Sequence, residues 1–317
     1  MNYRLFDKVI ASDIPLLELQ EAGSEEVYLS FFVREAKLDA FRSIDWFHSW
    51  LLPNGQVSLS AGRNDSNYWL RFPDLADFQI NVTNKQVTCF CPPGFPAESI
   101  RHLLLDQVLP RYFCHLGCHV LHSACVSLGD YAIGFTGESG WGKSTIAAFL
   151  NQQGHNLLTD DCLMIKHEKN HISCLASYRG MRLFDDSLSF LDNPGHTSSV
   201  AHYVSKKRLI MTEAGKQAPL PLRALFILND PRLSTGGDAI EITPITGATA
   251  AIELVKCIFA LDIKDTQKMG YQLQQLAKIG GHPSMAIYQL HYPRKQHLLP
   301  AVVAAIKGAI GGIDGIC

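Results

Sequence analysis

The residues Gly137-Glu138-Ser139-Gly140-Trp141-Gly142-Lys143-Ser144 fit G-x-x-x-x-G-K-[ST]. Glycines at this spacing let backbone amides converge on phosphate, a lysine can reach the β- and γ-phosphates, and the hydroxyl that follows can ligate Mg²⁺. The candidate nucleotide-binding residues are therefore Gly137, Glu138, Ser139, Gly140, Trp141, Gly142, Lys143, Ser144 and Thr145. The alternative is a chance match in a Gly-rich turn. Further along, Asn156-Leu157-Leu158-Thr159 runs into Asp160-Asp161. Apolar residues followed by two acids read as a strand end that gives one carboxylate to Mg²⁺ and leaves the other as a base. Ser144, Asp160 and Asp161 are the candidate metal ligands, and an acidic surface turn is the alternative.

Three other groupings could carry chemistry. Tyr178-Arg179-Gly180-Met181-Arg182-Leu183-Phe184-Asp185-Asp186 places two arginines and two acids close together, to brace a γ-phosphate or support a metal, or as a solvated helix start. Lys206-Lys207-Arg208 is a solvated face or a flap that meets phosphate. Cys114, His115, Cys118, His119 and His122 have the look of metal-ligand spacing. No second Cys or His pair answers them and they straddle a helix end and a strand, so a metal centre is not expected there.

These residues need elements to position them. Tyr131–Phe135 reads as a buried strand entering the glycine loop, and the residues from Thr145 to Leu150 as the helix leaving it. His119–Val126 reads as a strand that turns at Gly129-Asp130 and pairs with the strand before the loop. Upstream, residues 27–33, 57–60, 68–72, 77–82 and 86–90 read as strands, with Asn84-Lys85 turning the last pair. Trp46, Trp50 and Trp69 read as core. Cys91-Pro92-Pro93-Gly94 breaks the chain, which predicts a β-rich N-terminal domain over 1–95 and a catalytic domain over 96–317. Residues 97–116 repeat apolar positions at helical spacing, with a kink expected at Pro110. Downstream, strands are expected at 171–175, 222–228, 240–245 and 285–290, and helices at 246–260, 264–279 and 298–309.

The composition sets limits. The chain has 317 residues, 47% hydrophobic and 18% charged, with a formal net charge of -2, which excludes a disordered chain and argues against bulk nucleic-acid binding. The nine cysteines are odd in number and scattered, so reduced thiols in a cytoplasmic protein are expected. No signal-peptide core or membrane-spanning run is read, so no membrane partner is expected.

Beyond the single motifs, His122-Ser123-Ala124, a hairpin, the glycine loop and Gly154-His155-Asn156-Leu157-Leu158-Thr159-Asp160-Asp161 follow one another in an order that resembles the HPr kinase/phosphorylase family. The match covers about 45 residues, from Leu121 to Ile165. The resemblance implies an α/β P-loop kinase core, like that of HPr kinase and phosphoenolpyruvate carboxykinases, preceded here by a mostly β N-terminal domain. It implies a kinase that uses ATP and Mg²⁺ to phosphorylate a serine on a protein or peptide. Carried over by motif, Asp161 is the base, His122 the active-site histidine beside it, and Lys143 the phosphate-binding lysine. Tyr178-Arg179-Gly180-Met181-Arg182-Leu183 only partly matches the stretch that the family's bifunctional members tie to dephosphorylation. The layout is similar to HPr-kinase-like enzymes of lasso-peptide and related peptide clusters, which implies a ribosomal precursor peptide as acceptor. A homo-oligomer is compatible with the resemblance, since the HPr enzymes are hexamers. A small-molecule kinase and a nucleotide-dependent regulatory ATPase are the alternatives.

Overall fold

Period-two alternation in the first ninety residues folds as strands. The computed structural model describes residues 1–36, 43–52, 54–64, 67–178, 180–183, 197–209, 219–233 and 237–311. Arg179, Asp185, Asp186 and, of the polar stretch 192–215, residues 192–196 and 210–215 lie outside the described residues. Contacts divide the chain into two compact units: Met1–Leu116 with Ser199–Ser205 and Ala260–Met269, and Gly117–Ser198 with Lys206–Phe259 and Gly270–Cys317.

The first unit is built on β1 (Asn2–Leu5), β2 (Lys8–Ser12), β3 (Gln20–Glu21), β4 (Leu29–Glu35), β5 (Asp45–Leu51), β6 (Val57–Asn64), β7 (Asn67–Phe72), β8 (Ala76–Asn81) and β9 (Gln86–Cys91). Its sheet runs β3-β1-β2-β4-β9-β8-β7-β6-β5. β8 and β9 pair antiparallel from Asn81 opposite Gln86, so Asn84-Lys85 does turn a hairpin. Lys85 takes a φ of 51°, and Asn81 Oδ1 accepts the Asn84 N–H at 2.8 Å. The sequence reading missed β1, β2, β3 and β5. Of the three tryptophans expected in the core, Trp69 is buried and stacks on Phe90. Trp46 and Trp50 are only half-buried, because β5 is an edge strand with a neighbour on one side.

The expected helix over 97–116 forms as α1 (Ala97–Leu103), a π-helical turn (Leu104–Val108) and α2 (Leu109–His115). The Leu109 N–H donates to Leu104 O, five residues back, just ahead of Pro110, which has no N–H to offer. The wide turn takes the place of the expected kink. Contacts group this helical stretch with the first unit, where Phe113 meets the rings of Phe6 and Tyr28.

The second unit contains β10 (His119–Leu128), β11 (Tyr131–Thr136), α3 (Lys143–Gln152), β12 (Leu157–Thr159), β13 (Cys162–His167), β14 (Ile172–Ala176), β15 (Met181–Leu183), β16 (Thr197–Ala201), β17 (Val204–Leu209), β18 (Leu220–Leu228), β19 (Glu241–Ile245), α4 (Gly247–Val255), α5 (Thr266–Gly280), β20 (Ala286–His291) and α6 (Leu299–Gly311), with β16, β17 and α5 reaching past its contact-defined limits. The main sheet follows β11-β10-β13-β14-β18-β20-β19, with β12 beside β10 and a further pairing of β11 with β18. β11, β18 and β20 are mutually parallel, so their carboxyl ends open toward the same edge. One face buries Ile133, Phe135 and Phe226 against Ile146 and Leu150 of α3 and Val303 and Ile306 of α6. The other buries Ala132, Leu163 and Leu225 against Leu254 of α4 and Leu276 of α5. Helices on both faces of a mixed sheet make this unit α/β.

Candidate active site

Strand ends deliver the candidate residues. β11 ends at Thr136, and the chain turns through the glycine loop into α3. Gly137 has a φ of 146°, and a Cβ there would stand 2.9 Å from the Trp141 ring. Gly142 has a φ of 97°, and a Cβ there would stand 3.0 Å from the Tyr292 hydroxyl and 3.3 Å from Arg294 Nε. Both positions therefore need glycine. Lys143, 4% exposed, turns back over the loop and donates from Nζ to Gly137 O at 2.8 Å and Glu138 O at 3.0 Å. Among the described residues no side chain caps the N-terminus of α3, so this end of the helix suits an anion.

His122 sits on β10 opposite Cys162, where β13 begins. Its backbone is held on both sides: the His122 N–H donates to Cys257 O at 2.8 Å and Thr136 Oγ1 donates to His122 O at 2.9 Å. Asp160 and Asp161 form the bend between β12 and β13. Thr159 braces this bend, with Oγ1 donating to Cys162 O at 3.0 Å and lying 2.7 Å from Ser177 Oγ. The Ser123 N–H donates to Asp161 O at 3.1 Å, which sets Asp161 beside His122.

The Asp161 carboxylate is gripped at both oxygens. His122 Nε2 lies 3.3 Å from Oδ1, and Arg182 Nη1 donates to Oδ2 at 2.7 Å. Arg182 comes from β15, paired with β17 so that it stands opposite Arg208, and its side chain is 3% exposed. Its backbone N–H also donates to Asp160 Oδ2 at 2.8 Å. Asp160 Oδ1 is buried and, among the described residues, has no hydrogen-bond partner.

These contacts separate the two acids electrically. Burial raises the Asp160 carboxyl and the Asp161 charge raises it further, to about 6, against hydrogen bonds from Ser144 and the Arg182 N–H. Burial pushes Asp161 up too, but the Arg182 guanidinium and the His122 hydrogen bond outweigh it, and its carboxyl lies well below the usual range. Burial and the Lys143 charge lower the His122 imidazole, so it is neutral at pH 7. Burial also lowers Lys143, opposed by the two aspartates.

A cavity of about 340 Å³ joins these groups. Of the residues singled out from sequence, His122, Ser139, Gly140, Gly142, Lys143, Ser144, Thr145 and Asp161 line it. Gly137, Glu138, Trp141 and Asp160 do not: Asp160 is buried, and Glu138 points to solvent. Arg182 and Lys206, left open in the sequence reading, both line it. Tyr292, Arg294, Lys295, Gln296 and Leu299 line it as well and were missed. The signal available for them was a basic pair, Arg294-Lys295, a few residues past an expected strand.

The residues fit a nucleotide with Mg²⁺. The loop amides and Lys143 suit phosphate, and the partnerless Asp160 oxygen beside Ser144 suits a hard cation. Among the described residues no group of three or more His, Cys, Asp or Glu is placed to hold a metal. Two carboxylates and a hydroxyl accord with Mg²⁺, which keeps several waters. At the other candidate cluster, His119 Nδ1 lies 2.7 Å from Gln272 Oε1. No helix among the described residues is long and apolar enough to cross a membrane.

No protein-family model matches the chain. An HPr kinase/phosphorylase from Mycoplasmopsis pulmonis (strain UAB CTIP) is 30% identical over 165 residues, covering 49% of this chain and 48% of that protein. The chain thus spans about half the length of this curated relative. The solved structure of the Hpr(Ser) kinase/phosphatase from Coxiella burnetii aligns with 62% of this chain and 98% of its own, at 11% identity. Its TM-score of 0.33 is too low to carry a fold assignment. Over about half its length the chain is thus similar in sequence to an HPr kinase/phosphorylase.

Proposed function

We propose that this protein is a phosphotransferase that moves the γ-phosphoryl group of ATP, with Mg²⁺, to a serine hydroxyl of a peptide or protein. The observation that carries the reading is Asp161, held ionised between His122 and Arg182 on the wall of the cavity that Lys143 also lines. A site that only senses nucleotide has no need of a carboxylate fixed in this way. Bound ATP and Mg²⁺ would supply the phosphoryl group and neutralise its charge.

The chain's own residues supply position and a proton acceptor. The glycine loop, read as a P-loop within a kinase core spanning 96–317, and the open N-terminus of α3 hold phosphate. Lys143, which donates to the Gly137 and Glu138 carbonyls, would bind phosphate oxygens. Ser144, Asp160 and Asp161 are the residues that would hold the cation. Asp161 accepts the serine proton at Oδ1, since Oδ2 is occupied by Arg182, and neutral His122 keeps that oxygen oriented. A ribosomal precursor peptide, including one of lasso type, is the acceptor we favour, in a cytoplasmic setting.

Intact-mass spectrometry of serine-containing peptides incubated with the protein, ATP and Mg²⁺ tests this. One added phosphate is expected, and Asp161→Asn should abolish it while nucleotide binding persists. ADP formation with no modified peptide would overturn the serine-kinase reading in favour of a small-molecule acceptor or an ATPase.

A further inference from the structure

The peptide unit between Trp141 and Gly142 is held from outside the loop. Arg294, just past β20, donates from Nε to Trp141 O at 2.6 Å, from Nη1 to Tyr292 O at 2.5 Å and from Nη2 to Asn229 O at 2.7 Å. A weaker contact joins Nη2 to Asn229 Oδ1 at 3.2 Å. The guanidinium lies 3.9 Å from the Tyr292 ring centroid. Trp141, Asn229 and Arg294 lie beyond the carboxyl ends of β11, β18 and β20, which are parallel. One side chain therefore ties together the three chain segments that leave this edge of the sheet.

The tie has a directional consequence. A trans peptide is planar, and its C=O and N–H point opposite ways. Holding Trp141 O against Arg294 therefore fixes the direction of the Gly142 N–H. This unit needs such a hold, because glycine at 142 tolerates the φ of either orientation. A flip would exchange an N–H for a carbonyl oxygen in a loop whose anion affinity depends on converging donors. Four of its hydrogen bonds go to carbonyl oxygens, so Arg294 is built to act on the loop.

We propose that Arg294 is a positioning residue that locks the Trp141–Gly142 peptide in its phosphate-receiving orientation and so sets the affinity for the β-phosphate of a nucleotide. The proposal rests on the nucleotide-binding reading above, and the test separates the two. ADP and AMP affinities, each with Mg²⁺, are measured by calorimetry for the full-length protein and for Arg294→Gln and Arg294→Lys. Thermal melting is recorded alongside. Failure of the unaltered protein to bind ADP would overturn both readings. If it binds, Arg294→Gln should lose about tenfold in ADP affinity, the size of one charged hydrogen bond. AMP, which has no β-phosphate, should lose less than about twofold. Arg294→Lys keeps one donor within reach of the Trp141 carbonyl and should recover part of the ADP loss, and it carries the test if the Gln variant does not fold. Unchanged ADP affinity in the variants, or equal losses for ADP and AMP, would overturn the positioning role and leave the nucleotide reading intact.

Discussion

Replacing Asp160 with Asn should shift the balance of stability toward the variant as pH rises from acid to neutral. Asp160 is 3% exposed; its Oδ2 accepts the Arg182 N–H, and among the described residues its Oδ1 has no hydrogen-bond partner. Burial, then the Asp161 charge, moves its carboxyl from 3.8 to about 6. The folded protein thus keeps this proton up to about pH 6, while the unfolded chain releases it near 3.8. Between these values the folded state binds more protons, so this group's stabilising contribution is full below 3.8 and is lost as pH rises through 6. At about 1.4 kcal/mol per pH unit, the loss is about 3 kcal/mol. Asn cannot ionise and escapes it. Its amide N–H₂ faces the position where Oδ1 now has no partner, at a cost of about 1–3 kcal/mol that is the same at every pH. That cost moves the level of the curve and not its slope. The assay is urea unfolding of both proteins at a series of pH values from 4 to 8, plotted as the stability difference against pH. The difference should swing toward the variant by about 3 kcal/mol as pH rises and then level off. A flat difference, or one that swings toward the variant as pH falls, would refute the argument that Asp160 carries an uncompensated buried charge.

Two further substitutions bear on the proposed reaction. Lys143→Ala removes the ammonium that folds over the Gly137 and Glu138 carbonyls and should cut phosphoryl transfer at least about a hundredfold; retained transfer in a radiolabelled-ATP assay would remove Lys143 from the site. His122→Ala frees one side of Asp161 and should lower kcat about tenfold or more while KM for ATP changes less than about twofold. A rate equal to that of the unaltered enzyme would remove His122 from the machinery.

The part of the fold legible in the sequence is the part whose signals are local. Tyr131–Thr136, the glycine loop and α3 were readable because a buried strand, positive-φ glycines and a helical apolar repeat follow one another without interruption. β5 was not readable, because Asp45–Leu51 is an edge strand whose Trp46, Phe47 and Trp50 are all half-buried, so its burial does not alternate cleanly. The helix over 97–115 was readable as a helix, but its π-helical turn was not: Pro110 predicts a disturbance and does not say whether the chain kinks or widens to absorb it.

The site divides along the same line. Asp160 and Asp161 could be placed at a strand end from their apolar lead-in alone. Which acid is ionised could not, because that depends on Arg182, and the sequence offered Arg182 beside Arg179 with no means of choosing. The pairing of β15 with β17 gives Arg182 its place, and its backbone and side chain then reach one acid each. Arg294 is further still from local reading, since it lies 153 residues from the carbonyl it holds. The meeting depends on β11, β18 and β20 being parallel, which only the connections between them decide. Once that order is known, the residue just past each parallel strand becomes a place to look for ligand and loop contacts, since such strands present their carboxyl ends to a shared crevice. Arg294, half-buried and making four hydrogen bonds to backbone and Asn229, then stands out as the cavity cation that reaches the loop from a different strand end.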